Sequence, residues 1–281
     1  MKLSARFADL KSGLLAPIRR GPRTVLWTEE FKMGLGNVLY LWLWAFSRQR
    51  AGEDAVVRYT GYLRPWAERF GDIADDLMVE TGQIRFRDRR VHTSNQRFGS
   101  DFTDDELRAF AQALLASEPL ASAVPALVSD PATLVLNIRR GDYFNDYRFR
   151  GKYSFDQIAY LETALAGAAQ QGRVDRLTIV SDDISWCQAR LSWLSRFGEV
   201  SYLTGTDPIG HFATLIGARR LIVTNSTFSY WGAYLSTARH GDNHHLVWAP
   251  RFHARHIDQG RAYQLDPRWS IVEDIPGGWD S

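Results

Sequence analysis

Arg139-Arg140-Gly141-Asp142 are the residues of this chain best placed by type and spacing to do chemistry. A guanidinium presents N–H donors in a fixed fork, which suits a phosphate or a carboxylate. The same residues also fit an ordinary charged loop, with the arginines paired to Asp142, Asp146 and their neighbours. Two further clusters carry complementary groups. Ser181-Asp182-Asp183 brings carboxylates, and Asn225-Ser226-Thr227-Phe228 brings hydroxyls at the start of an expected helix, where N–H groups favour an anion. Cations, carboxylates and hydroxyls together suit a nucleoside diphosphate. The arginines and the Ser226–Thr227 helix end take the pyrophosphate, and Asp182 or Asp183 accepts hydrogen bonds from a ribose or from the N–H edge of guanine. A divalent metal on Asp182 and Asp183 is the competing reading. The arginines already offset the diphosphate charge, so neither a metal nor a cofactor is expected.

Each cluster follows a short apolar run. Leu134, Val135, Leu136 and Ile138, interrupted by Asn137, read as a buried strand, and residues 177–180, 221–223 and 246–249 read as three more. Successive side chains alternate across a strand, so Arg139 and Arg140 leave on opposite faces. Helical patterns fill the gaps. One has Ser154 as cap with Gln157 at the capping-box position and an apolar face of Phe155, Ile158, Ala159, Leu165 and Ala169. Another spans 184–197, a third is capped by Asp207-Pro208, and a fourth covers 228–236. Strand then helix, repeated, predicts a parallel doubly wound sheet, and parallel strands share one carboxyl edge. All three clusters are therefore expected to face one crevice.

The first half is less regular. A run at 24–27, a turn at Gly34-Leu35-Gly36-Asn37 and an apolar segment at 39–46 read as strand, glycine loop and buried helix. Glycines there let a ligand approach the backbone closely. Residues 55–59 suggest a strand, 66–70 part of a helix, and 104–117 a helix capped by Thr103 or Asp104. Arg85, Arg87, Arg89 and Arg90 read as a solvated edge or loop rather than an acceptor site. Pro119, Pro125 and Pro131 mark a linker, which gives an N-terminal acceptor-side α/β domain over 1–130 and a C-terminal nucleotide-binding domain over 131–281.

Composition bounds the function class. Thirty-four basic and 32 acidic residues leave a net charge of +2, so no global field steers the chain to nucleic acid. Cys187 is the single cysteine, which excludes an intramolecular disulfide and fits a reducing, cytoplasmic compartment. No apolar run approaches the ~18 residues of a membrane span. Within the first 24 residues six Lys and Arg stand against Asp9. Two readings fit this stretch: a basic amphipathic helix over Leu3, Phe7, Leu10 and Leu14 resting on the inner face of an anionic membrane, or a partly ordered leader. His244, His245, His253 and His256 lack the cysteine or glutamate partners of a zinc site and read as loop histidines.

Taken in order, the motifs resemble a known family. Asn137-x-Arg139-Arg140-Gly141-Asp142-Tyr143, then Ser181-Asp182-Asp183 followed by Trp186-Cys187, then Asn225-Ser226-Thr227-Phe228-Ser229-Tyr230-Trp231-Gly232 are similar to the three signature blocks of α-1,2-fucosyltransferases. Gly34-Leu35-Gly36-Asn37 resembles that family's N-terminal glycine block, and 245–251 its late strand. The resemblance implies two Rossmann-like domains facing a cleft (GT-B type) and an inverting, metal-independent transfer of fucose from GDP-fucose to an oligosaccharide or lipid-linked glycan. It places Arg139 on the β-phosphate, with Arg140 and Asp142 shaping the site. One of Asp182 and Asp183 would bind guanine, and Ser226, Thr227 and the following helix would bind the diphosphate. Asn137 stands where the family usually carries histidine and is expected to touch the nucleotide. Asp146 is a candidate base for the acceptor hydroxyl, or a loop acid. A GDP-sugar-binding protein with little turnover, transfer of another GDP-sugar, and another fucosyl linkage are the alternatives.

Overall fold

The computed structural model describes residues 18–28, 32–92, 96–124, 130–205 and 207–280. The expected helix over Leu3 to Leu14 lies outside the described residues, as does Pro125 of the expected linker. Two compact units divide the chain between Glu118 and Pro119.

In the first unit, β1 (Thr24–Leu26) leads through the glycine turn into α1 (Leu35–Arg50), whose Leu35, Val38, Leu39, Trp42 and Leu43 are buried. β2 (Ala55–Arg58), the short helices α2 (Arg64–Ala67) and α3 (Gly71–Leu77), β3 (Met78–Val79) and β4 (Arg89–Val91) follow. α4 (Asp104–Ala116) is closed by a capping box in which the Thr103 hydroxyl accepts from Glu106 N. The sheet runs β3-β2-β1-β4, all parallel. Arg89 and Arg90 thus lie on an edge strand, where charge discourages further pairing.

In the second unit, α5 (Leu120–Ala123) buries Leu120 and packs against α10 (Pro208–Gly217), so the start of the expected linker is part of this unit's core. β5 (Thr133–Ile138) is buried at all six positions, as a central parallel strand must be. Then come α6 (Gly141–Asn145), α7 (Tyr147–Tyr153), α8 (Gln157–Gln170), β6 (Arg176–Ser181), α9 (Ile184–Arg190), β7 (Glu199–Tyr202), α10, β8 (Arg220–Val223), α11 (Thr227–His240), β9 (Val247–Pro250) and β10 (Ser270–Val272). The strands lie in the order β7-β6-β5-β8-β9-β10, all parallel, which is the doubly wound order 3-2-1-4-5-6. Parallel α/β sheets are therefore present in both units, as the sequence led us to expect.

Three local expectations change. The cap of α8 is Asp156, whose carboxylate accepts from Ile158 N and Ala159 N, while the Ser154 hydroxyl donates to Arg150 O. The helix expected over 184–197 stops at Arg190 and continues as a 3-10 turn over Ser192–Arg196. The strands β7 and β10 were not anticipated, because β7 alternates exposed and half-buried residues and β10 is only three residues long, so neither edge strand carries much apolar signal.

Candidate functional site

β5 is paired to β6 on one side and β8 on the other, so the three polar clusters emerge at adjacent carboxyl ends. Chain order reverses between β5 and β8, the place where open α/β sheets leave a crevice. The Arg139 N–H bridges that point by donating to Thr224 Oγ1 at 2.9 Å. Its guanidinium is held from two sides, with Nη2 2.5 Å from Asp142 Oδ1 and Nη1 2.7 Å from Asp182 Oδ2. Burial opposes the charge, but Asp182 and Asp142 more than offset it, and the pKa is raised. The side chain keeps 37% of its surface accessible, so donors remain for a ligand. Gly141 makes the arrangement sterically feasible. Its φ of +24° disfavours a side chain, and a Cβ there would collide with Asp182 Oδ2.

Arg140 has a different role. Its guanidinium is stacked between the Phe144 ring at 4.0 Å and the Trp186 ring at 3.7 Å. Nη1 donates to Gln157 Oε1 at 3.1 Å, and Nε lies 3.5 Å from Asp183 Oδ2. Burial lowers its pKa, with Asp183 acting against that. Gln157 in turn donates through Nε2 to Arg139 O at 2.7 Å, so one buried amide fixes both arginines. Asp182 Oδ1 accepts from Arg140 N at 2.8 Å, and Asp183 caps α9 by accepting from Trp186 N at 3.1 Å. Under this layer sits Cys187, whose thiol burial pushes up to about 11 while Ser181 acts in the opposite sense.

The third cluster divides by burial. Ser226 caps α11, accepting from Ser229 N at 3.1 Å. Among the described residues no acceptor meets the backbone N–H groups of Thr227 and Phe228, which lie half-buried at the helix start. Asn225 is fully buried and donates to Tyr153 O and His253 O, both at 2.8 Å. Its Nδ2 thus ties the end of α7 to the loop after β9.

Asn137, expected to touch the nucleotide, is 6% exposed. Its Nδ2 donates to Val180 O at 3.1 Å and its Oδ1 accepts from Ser229 Oγ at 2.5 Å, so the amide is occupied in tying β5, β6 and α11 together. Asp146, the candidate base, caps α7 and is paired with Arg148, whose side-chain and backbone hydrogen bonds lower its pKa to about 2. A carboxylate so stabilised is a poor proton acceptor.

Gly34, Gly36 and Asn37 lie in the first unit. Gly34 precedes α1 with no side-chain cap, Gly36 is buried, and Asn37 Oδ1 accepts from Gln96 Nε2 at 3.3 Å. His253 is buried against the Tyr230 hydroxyl at 3.2 Å. Among the described residues no group of three or more His, Cys, Asp or Glu could hold a metal ion. Sequence reading took Gln157 for a capping-box residue and Trp186 for part of a motif without placing either in the site, and it did not single out Thr224 or Phe144. Gly141 and Trp186, inside the motifs, carried the usable signal.

A family model described as glycosyl transferase family 11 matches residues 94–244, which include all three clusters. The chain belongs to glycosyl transferase family 11. This is the family that the motifs resemble, as its relatives' names agree. Among the relatives of this family 11 chain, galactoside alpha-(1,2)-fucosyltransferase 1 of Sus scrofa is 30% identical over 149 residues, covering 52% of the chain and 40% of the relative. Galactoside 2-alpha-L-fucosyltransferase Sec1 of Mus musculus is 27% identical over 243 residues, covering 84% and 58% respectively. The chain thus spans about half the length of the curated relatives it matches. The E. coli heptosyltransferase WaaC with ADP is similar over 92% of this chain and 95% of that one, at 14% identity and a TM-score of 0.47.

Proposed function

We propose that this family 11 chain transfers fucose from GDP-fucose to a glycan hydroxyl, with inversion, without a metal, and with an α-1,2 linkage. The observation that carries the reading is the Arg139 guanidinium, aimed by two carboxylates and still accessible, at a strand end next to the one that leads into the open N–H groups of α11. Cleavage of the fucose C1–O bond leaves negative charge on the diphosphate. A preplaced guanidinium and fixed backbone N–H groups stabilise that charge more in the transition state than in the bound donor.

Two guanidinium groups here meet three carboxylates, Asp142, Asp182 and Asp183. Binding a diphosphate therefore relies on directed donors more than on net charge. Arg139 bears the departing phosphate, while Arg140, stacked and buried, supports the backbone that aims it. The names of the relatives support a galactoside as acceptor.

One observation favours a second reading, a GDP-sugar binder with little turnover. The carboxylates of Asp142, Asp146, Asp182 and Asp183 are all engaged by arginines, which leaves none of them free as a base. Labelled GDP-fucose incubated with a galactoside in EDTA separates the readings. Transfer that survives chelation supports the proposal, whereas GDP binding without transfer supports the binder. Arg139→Ala is expected to lower turnover ~10²- to 10³-fold. Undiminished turnover in that variant would refute the assignment.

A further inference from the structure

The arginines of the first unit lie outside everything proposed above. Residues 18–23 run beside 85–89: Gly21 N donates to Arg87 O at 2.8 Å, Arg89 N to Arg23 O at 2.9 Å, and Arg89 Nη2 to Pro22 O at 3.2 Å. A Cβ on Gly21 would fall 2.8 Å from Arg87 O, so these strips adjoin as bare backbone. Arg20, Arg87 and Arg89 are exposed on them. Next to them a cavity of about 340 Å³ is lined by Arg19, Arg48, Arg89 and Arg90, with Glu53 as its carboxylate. That carboxylate is held by Arg48 at 2.8 Å. The Arg90 guanidinium lies over the Trp27 ring at 4.2 Å, and the Nε atoms of Arg19 and Arg90 are buried without a hydrogen-bond partner, so it is the remaining donors of these side chains that face the cavity. Burial, and after it the charge of Arg19, lowers the Arg90 pKa.

Nearby acids are already engaged or lie apart. Asp88 is buried and accepts from Arg85 N at 2.8 Å, and Asp54 pairs with Arg23 at 3.2 Å. Asp75 and Asp76 border a separate cavity with Arg23 and Arg85. A tetrahedral phosphate fits the arginines that line the cavity.

Two side chains on the same strips indicate which phosphate. Ile18 is 54% exposed and Phe86 60%, each beside an arginine. A free anion has no use for them. A lipid surface offers phosphates to the arginines and an apolar layer to Ile18 and Phe86. We propose that this face of the first unit docks on an anionic lipid surface, with Arg19, Arg87, Arg89 and Arg90 on headgroup phosphates and Ile18 and Phe86 inserted between them. The proposal does not depend on the donor-site reading.

Sedimentation of the full chain with vesicles tests it. Binding is expected to phosphatidylcholine mixed with phosphatidylglycerol, to weaken with salt, and to be absent with phosphatidylcholine alone. Each arginine near such a surface is worth roughly fivefold in partitioning, so Arg87→Ala with Arg89→Ala should lower it roughly 25-fold. Phe86→Ser should also lower it. Both variants should unfold in urea at the parent's midpoint, which checks the fold without reference to the donor site and keeps a failure here distinct from failure of that site. Three results overturn the proposal: no binding to anionic vesicles, variants that bind as well as the parent, or inorganic phosphate bound at the arginine cavity while vesicles are ignored.

Discussion

Gly141 is the residue on which the site's geometry turns. Its φ of +24° and the nearness of Asp182 mean that Gly141→Ala must move either the backbone or the carboxylate that orients Arg139. Strain of this kind costs roughly 1–3 kcal/mol. We expect urea denaturation to show a loss of that size, and GDP titration to show about tenfold weaker binding once Arg139 is misaimed. Gln157→Leu tests the amide that holds both arginines. Removing it leaves Arg140 Nη1 and Arg139 O without that partner, at about 1–3 kcal/mol, again read by denaturation. At this scale the sequence showed which residues carry charge, and alternation along the strand separated Arg139 from Arg140. It did not show that Asn137 and Asn225 donate their amide N–H groups inside the protein, because a buried clip and a ligand contact are written with the same residue.

At the scale of elements, α7, α11 and the loop after β9 are joined by buried polar groups. Asn225 reaches Tyr153 O and His253 O, and His253 Nδ1 meets the Tyr230 hydroxyl. Burial, with His256 adding to it, lowers the His253 pKa to about 4. The unfolded chain, with an ordinary histidine near 6.5, binds the proton first as pH falls. The resulting stability is full above about 6.5, declines through the window and is gone below about 4, a loss on the order of 3 kcal/mol. Denaturation at pH 7.5 and pH 5 should show part of that loss in the parent chain and little in His253→Gln; equal losses in both would be the contrary result. The strands that carry the site were legible because β5, β6 and β8 are short, mostly apolar runs. The cap of α8 was misread for a local reason. Ser154 and Asp156 both fit a cap, and only backbone geometry decides between them.

At the scale of the molecule, each unit builds the same half-winding, β3-β2-β1-β4 in one and β7-β6-β5-β8 in the other. The repeated strand–helix pattern foretold this in the second half, whereas the short strands of the first half gave too little pattern to order. If GDP binds at the carboxyl ends of β5, β6 and β8, hydrogen exchange should slow in those strands. The ceiling is set by mass action, ~2.7 kcal/mol at a hundredfold excess over Kd. β2 and β3 should be unaffected, and equal protection in β2 and β5 would move the site elsewhere. The chain's one cysteine makes the same event visible in time. Cys187 is buried one turn beyond Asp183, so a thiol reagent can reach it only when β6 and α9 part. Labelling is then a clock with a single hand: its rate counts how often the floor of the site opens, and any nucleotide that latches that floor should slow it.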